Sequence, residues 1–207
     1  MKNIIPYGKH FIDEDDIKAV ENVLRYKNLT QGDEVSLFEK DISDYVGSKY
    51  AVAFSSWTAG LHAACSVIGI TNNDSVITSP ITFVATSNSV LYCGGNPIFS
   101  DISNDSINIC PDNLENVIKK NPNVKAIIPV HFAGLSSDME KIKIIADKYD
   151  LYIIEDAAQA HGSMINGKKA GSLSDLATFS FYPTKNLGGC GDSGAIATNS
   201  IKYFHRL

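Results

Sequence analysis

From residue 50 onward the chain alternates between short runs of apolar and β-branched residues and longer stretches in which apolar residues recur every three or four positions. Short apolar runs bounded by turn residues read as strands, and the longer recurrence reads as helix. Strands are expected at Tyr50–Phe54, Ser75–Thr78, Pro97–Asp101, Lys125–Val130, Leu151–Glu155, Leu176–Phe181 and Ala195–Thr198. Helices are expected between the first five, at about Thr58–Ile68, Thr82–Tyr92, Pro111–Lys120 and Asp138–Tyr149. Serial β-α-β order implies an α/β fold with a mostly parallel, about seven-stranded sheet sandwiched by helices. In such a sheet, ligands sit at the carboxyl ends of the strands.

Two amphipathic helices precede this pattern. Ile12, Ile17, Val20 and Leu24 follow the acidic start Asp13–Asp16 at helical spacing, and Val35, Phe38, Ile42 and Tyr45 do the same before Gly47. Residues 1–48 therefore read as an N-terminal helical segment and 49–207 as the α/β domain, with the two helices docking on the sheet or on a second subunit. The final residues, Ile201–Leu207, read like the opening of another helix, so a longer protein is expected.

The formal net charge of −5 gives no general attraction to polyanions, which argues against nucleic acid or an anionic membrane surface as partner. Cys65, Cys93, Cys110 and Cys190 form no C-x-x-C pair, and the five histidines no metal-ligand ladder, so no metal site is expected. Only Ile4-Ile5 precedes Pro6, too little for a signal peptide, and no apolar run approaches a membrane span, so a cytoplasmic protein is expected.

Two glycine patterns resemble phosphate loops. Gly189, Gly191 and Gly194 match G-x-G-x-x-G, but a β-like segment follows them where a dinucleotide site needs a helix. Gly162-x-x-x-x-Gly167-Lys168 is most of a P-loop, and Glu155-Asp156 ends an apolar strand as a Walker B acid would. Lys169, however, stands where the magnesium-binding Ser/Thr belongs, and no strand leads in.

Other residues carry sharper chemistry. Asp156 is either a helix cap or solvated turn acid, or a buried carboxylate able to hold a pyridine nitrogen in its protonated form. Lys185 follows the apolar strand and Pro183, at a sheet edge. It is either a solvated loop lysine or, if partly desolvated, a nucleophilic amine. Ser55-Ser56-Trp57-Thr58-Ala59-Gly60 joins the first strand to a helix, so its N–H groups and hydroxyls can receive a phosphate. Phe83 is either a core aromatic or a stacking face for a ring.

With these pieces in order, the chain resembles the DegT/DnrJ/EryC1/StrS family of sugar aminotransferases, which use pyridoxal 5'-phosphate in the fold-type-I architecture. The resemblance spans nearly the whole chain. It rests on Leu29-Thr30-Gln31-Gly32, Ser56-Trp57-Thr58-Ala59, the stretches Thr78–Thr86 and Ile128–His131, Ile154–Gly162, and Phe179–Leu187. It implies that Lys185 is the catalytic lysine that holds the cofactor covalently, that Asp156 pairs with the pyridine nitrogen and that Phe83 stacks on the ring. Gln159 would lie near the ring's hydroxyl edge. Trp57, Thr58, Ala59 and Ser180 would surround the phosphate, and Tyr7 with Lys27, Asn28, Leu29 and Thr30 would touch a nucleotide-sugar substrate.

The resemblance further implies an amino-acid donor, glutamate foremost, and a homodimer. Thr78–Ala85 and Tyr92-Cys93-Gly94-Gly95 lean toward the subgroup that aminates C4 of a UDP-linked 4-keto-6-deoxy-N-acetylhexosamine in pseudaminic acid synthesis. A dehydratase branch carries histidine at the lysine position, which Lys185 argues against. The alternative is a truncated, non-catalytic or regulatory relative, because the family's C-terminal small domain falls outside this chain. Two residues depart from the family pattern. Trp57 stands where a small residue is usual, which implies a reshaped phosphate cup or an indole lining the sugar pocket. Ser193 replaces a usual glycine, with strain expected if that position needs positive φ.

Overall fold

A computed structural model describes residues 8–207. Helix α1 (Glu14–Tyr26) opens on a capping box in which Asp13 accepts the N–H groups of Asp15 and Asp16 while Asp16 accepts that of Asp13. Helix α2 (Asp33–Val46) ends at Gly47, whose φ of 80° is the left-handed turn that glycine adopts without strain. The two helices differ in packing. Ile42 and Val46 of α2 join a core with Ala51, Phe179 and Ala195, whereas α1 buries no residue and leaves Ile17, Val20 and Leu24 exposed. Of the expected pair, the sheet receives α2.

The remaining elements follow in chain order: β1 (Tyr50–Phe54), α3 (Trp57–Val67), β2 (Ser75–Thr78), α4 (Ala85–Tyr92), β3 (Asn96–Phe99), α5 (Pro111–Lys120), β4 (Val124–Ile128), α6 (Met139–Tyr149), β5 (Tyr152–Asp156), β6 (Met164–Ile165), β7 (Lys168–Lys169), β8 (Leu176–Ser180), β9 (Gly194–Thr198) and α7 (Ile201–Phe204). Seven strands form one sheet in the order β1-β9-β8-β5-β4-β2-β3. The β2, β3, β4, β5 and β8 neighbours pair in parallel, and β9 runs antiparallel to both β1 and β8. The expected mostly parallel sheet is present. Strand β9 reverses because a compact loop, not a helical crossover, connects it to β8, and a parallel return needs the crossover.

Successive residues of the inner strands go to opposite faces. Val76, Ile128 and Ile154 pack with Leu61 and Val90 of α3 and α4, while Ile77, Ile127 and Ile153 pack with Leu114 and Ile142 of α5 and α6. Burial on both faces explains why these strands read as continuous apolar runs.

Three boundaries differ from expectation in ways that matter for the site. Strand β5 runs one residue further, so Asp156 is its last member. Helix α4 begins at Ala85 rather than Thr82. Residues 164–169, weighed above as part of a P-loop, form the β6–β7 hairpin, turning at Asn166 (φ 50°) and Gly167 (φ 77°). Positive φ at both central residues is what a two-residue type I′ turn requires.

Candidate active site

The carboxyl ends of β1, β2, β4, β5 and β8 converge on Lys185. The loop after β8 is pinned there by backbone bonds from the Lys185 N–H to the Tyr182 carbonyl (2.8 Å), from Gly189 to Phe181 (2.8 Å) and from Phe181 to Ser193 (2.9 Å). The Lys185 side chain is half-buried. Burial lowers its pKa, and the opposing attraction of Asp156 does not cancel that shift.

Asp156 is 3% exposed. Thr86 donates its hydroxyl to one carboxylate oxygen at 2.8 Å and the Ala158 N–H donates to the other at 3.2 Å. Burial pushes its pKa up to about 6, against these two bonds and the nearby Lys185 and His131. Of the two readings open for Asp156, helix cap or buried acid, the geometry is the second.

His131 and Glu155 support this center from below. His131 Nδ1 accepts the Ser137 N–H at 3.0 Å, which leaves the ring proton on Nε2, 2.9 Å from Glu155. Glu155 also accepts the N–H groups of Gly171 (2.8 Å) and Leu173 (2.9 Å) and the Ser174 hydroxyl (2.8 Å). Burial would raise its pKa, but the His131, Gly171 and Ser174 contacts together hold it below the usual carboxylate range.

Three cavities share Lys185 as a wall. A narrow one of about 10 Å³ lies between Trp57, Phe83, His131, Asp156, Gln159 and Lys185. A wider one, about 580 Å³, reaches Ser56, Thr58, Ser180 and Ser193, and a third, about 460 Å³, reaches Gly8, Phe132, Ala133 and Gln159. A larger cleft of about 730 Å³ beside Ser103–Asp112 offers one lysine, Lys141, already paired with Asp138, so it lacks this chemistry.

The site residues expected from sequence fall as follows. Phe83 is 61% exposed, with its ring 6.0 Å from that of Trp57, so it is a free aromatic face and not core. Gln159 accepts the Ala133 N–H at 2.8 Å, which fixes its amide beside Lys185. Thr58 and Ser180 line the 580 Å³ cavity at the start of α3. Ser56 caps that helix by accepting the Ala59 N–H at 3.1 Å, so Ala59 is already committed and the earlier amides of the turn, on the cavity-lining residues Trp57 and Thr58, are those without an intrahelical partner. Lys27, Asn28, Leu29 and Thr30 are exposed between α1 and α2 and line none of the three cavities; Lys27 pairs with Glu34. Tyr7 lies outside the described residues.

The two departures resolve differently. Trp57 is buried, and its Nε1–H donates to the Thr178 hydroxyl at 3.0 Å, so the indole is anchored to the sheet and forms a wall of two cavities. Ser193 is not among the described non-glycine residues with positive φ, which are Gln31, Ala133, Asp150 and Asn166, so the expected strain is absent. The backbone demand falls on Gly194. A Cβ there would stand 2.5 Å from the Trp57 nitrogen and 2.6 Å from the Ser56 carbonyl carbon. Thr86, His131 with Glu155, and Gly194 were not singled out as site residues from sequence. Thr82 and Thr86, two hydroxyls four apart at the mouth of a helix, were a visible signal for the first.

Residues 10–206 match the DegT/DnrJ/EryC1/StrS aminotransferase family. The spore coat polysaccharide biosynthesis protein SpsC of Bacillus subtilis is 40% identical over 205 residues, 99% of this chain and 52% of that protein. The UDP-4-amino-4,6-dideoxy-N-acetyl-beta-L-altrosamine transaminase of Campylobacter jejuni is 39% identical over 205 residues, 99% of this chain and 54% of that protein. The structure of NtdA from Bacillus subtilis with its bound cofactor PMP superposes with a TM-score of 0.85 at 35% identity, covering 100% of this chain and 48% of that one. The chain spans about half the length of the relatives it matches.

Proposed function

Because the chain belongs to the DegT/DnrJ/EryC1/StrS aminotransferase family, we propose that it works as a pyridoxal phosphate-dependent sugar aminotransferase. The observation that carries this reading is the half-buried Lys185 amine sharing one cavity with the buried carboxylate of Asp156, beside a hydroxyl-lined helix start.

The donor set fits the cofactor. The first-turn amides of α3 with Thr58 and Ser180 suit a phosphate dianion at the positive end of a helix dipole. The open face of Phe83 suits an aromatic ring. When bound, pyridoxal phosphate supplies an electrophilic carbon that captures amines and a ring that takes up negative charge. The protein supplies the rest. Burial at Lys185 raises the share of neutral amine, the form that attacks carbon and that carries protons between donor and acceptor atoms. Asp156, an acceptor when ionised, holds a proton on the ring nitrogen. Gln159 and the buried His131 line the same slot.

The substrate we propose is a nucleotide-linked keto-deoxy sugar, with C4 of a UDP-4-keto-6-deoxy-N-acetylhexosamine as the favoured position and glutamate as donor. The Campylobacter relative, whose name carries a UDP-linked amino sugar, supports this choice. A cytoplasmic homodimer acting in surface polysaccharide synthesis, with residues 49–207 as the cofactor-binding domain, completes the proposal. Among the described residues, no helix is long and apolar enough to cross a membrane.

The test uses Trp57, the chain's one tryptophan, in the wall of the site. Pyridoxal phosphate should quench its fluorescence, and borohydride should then fix a pyridoxyl group on Lys185, found by peptide mapping. Added glutamate should prevent the trapping. No label on Lys185 in folded protein would overturn the reading, and a label insensitive to glutamate would leave the non-catalytic relative as the better account.

A further inference from the structure

Three hydroxyl and carboxyl groups form a short chain at the mouth of α4. The Thr82 and Thr86 hydroxyls lie 2.7 Å apart, and Thr86 lies 2.8 Å from Asp156. An ionised carboxylate only accepts, so Thr86 donates to Asp156 and its oxygen is left to accept from Thr82. The Thr82 proton therefore points inward, and the chain has one direction. Thr86 is wholly buried, so its hydroxyl has no water to replace these partners.

We propose that Thr86 is a positioning residue, oriented by Thr82, that fixes the Asp156 carboxylate in its ionised form and leaves an unused lone pair aimed into the cavity beside Lys185. This rests on the reading of Lys185 and Asp156 given above. Asp156 needs such a device because its surroundings disfavour the anion. Burial is the dominant influence on it, and the Ala158 N–H is its other bonded donor. The charged or titratable groups around it are Lys185 and His131 on the cavity walls, and Glu155, whose own carboxylate is saturated by His131, Gly171, Leu173 and Ser174. Without Thr86 an acid at this site keeps its proton, and a protonated acid meets the ring nitrogen as a donor instead of an acceptor.

The experiment titrates the Asp156 carboxyl by carbon-13 NMR in the cofactor-free protein, with Asp156→Asn to assign the signal. Thr86→Val, which keeps the shape and removes the hydroxyl, should raise the midpoint by about one to two pH units. Thr86→Ser should restore it, and Thr82→Val should raise it by less. Affinity for pyridoxal phosphate at neutral pH, read from Trp57 quenching, should fall about two- to tenfold in Thr86→Val, since moving the midpoint from about 6 by one to two units lowers the ionised share at pH 7 from about nine-tenths to between a half and a tenth. A merely structural threonine would change the unfolding midpoint and leave the titration in place, which would overturn the proposal. If Thr86→Val does not fold, an unmoved midpoint in Thr82→Val overturns it equally. If the wild-type protein binds no pyridoxal phosphate while the carboxyl still shifts, the control of Asp156 stands and the cofactor reading falls.

Discussion

Glu155 and Asp156 are consecutive, buried carboxylates on β5, and their surroundings drive their ionisation in opposite directions. Side chains alternate along a strand. Glu155 faces a ring of four donors, whereas Asp156 faces a cavity with two and a lysine whose own charge is disfavoured. The first is a structural anion and the second is poised for use.

Asp156→Asn should stabilise the cofactor-free protein at neutral pH. An acid with its folded pKa raised from 3.8 to about 6 contributes stability that is complete below 3.8 and lost as pH rises through 6. At pH 7 the wild type therefore carries a deficit of about 2–3 kcal/mol that the neutral amide removes. Urea unfolding followed by Trp57 fluorescence should show this gain at pH 7 and little gain at pH 4, together with loss of pyridoxal phosphate binding. Equal stability of the two proteins at pH 7 would contradict the buried anion.

Glu155→Gln should do the reverse. Its folded pKa lies below the ordinary 4.5, so the wild-type contribution is present above that value and is lost as pH falls beneath it. The amide cannot serve all four donors, and breaking a buried charged network costs about 3–5 kcal/mol. Unfolding midpoints across pH 3–8 should show the variant weakened at neutral pH and lacking the wild-type acid limb. Taken with Asp156, these two groups place the greatest stability of the cofactor-free wild type near pH 4, between the ordinary values of 3.8 and 4.5 from which the two contributions fall away in opposite directions.

Gly194→Ala should separate β9 from the start of α3. Its added Cβ meets backbone atoms of Ser56 and Trp57, which have no rotamer to move. Overpacking of this kind costs about 1–3 kcal/mol, and relief by displacing the helix start withdraws the amides and Thr58 from the phosphate cavity. Both the unfolding midpoint and pyridoxal phosphate affinity should fall. Loss of stability with unchanged affinity would show that the helix start does not hold the phosphate.

Much of this was legible because β2, β4, β5 and β8 are covered on both faces and read as apolar runs, with Asp156 and Lys185 at or just past their ends. What escaped was either exposed or long-range. The β6–β7 hairpin is two residues deep and mostly solvent-facing, so it carries no hydrophobic pattern, and only Asn166-Gly167 marked it. Thr86 meets Asp156 across 70 residues, and His131 meets Glu155 across 24. No local rule connects such partners until the strands are ordered. The start of α4 was misplaced because Ser79 accepts the Ile81 N–H and folds 79–83 into a turn, giving Thr82 and Phe83 to the site instead of the helix.

Trp57→Ala separates packing from recognition most directly. The indole fills the space between the narrow cavity and the 580 Å³ one, and its N–H satisfies Thr178 inside the sheet. Truncation should cost about 3–5 kcal/mol through the void left behind. It removes a wall of the phosphate cavity but no hydrogen-bonding group assigned to the phosphate or the ring nitrogen, since the backbone amides of α3 stay and Ser180, Asp156 and Lys185 are held by other contacts. Unfolding followed by circular dichroism should therefore show a large loss, while absorbance of bound pyridoxal phosphate should show affinity within a few-fold of wild type below the unfolding range. An affinity loss as large as that of Asp156→Asn would mean instead that the indole wall is itself part of the cofactor's grip.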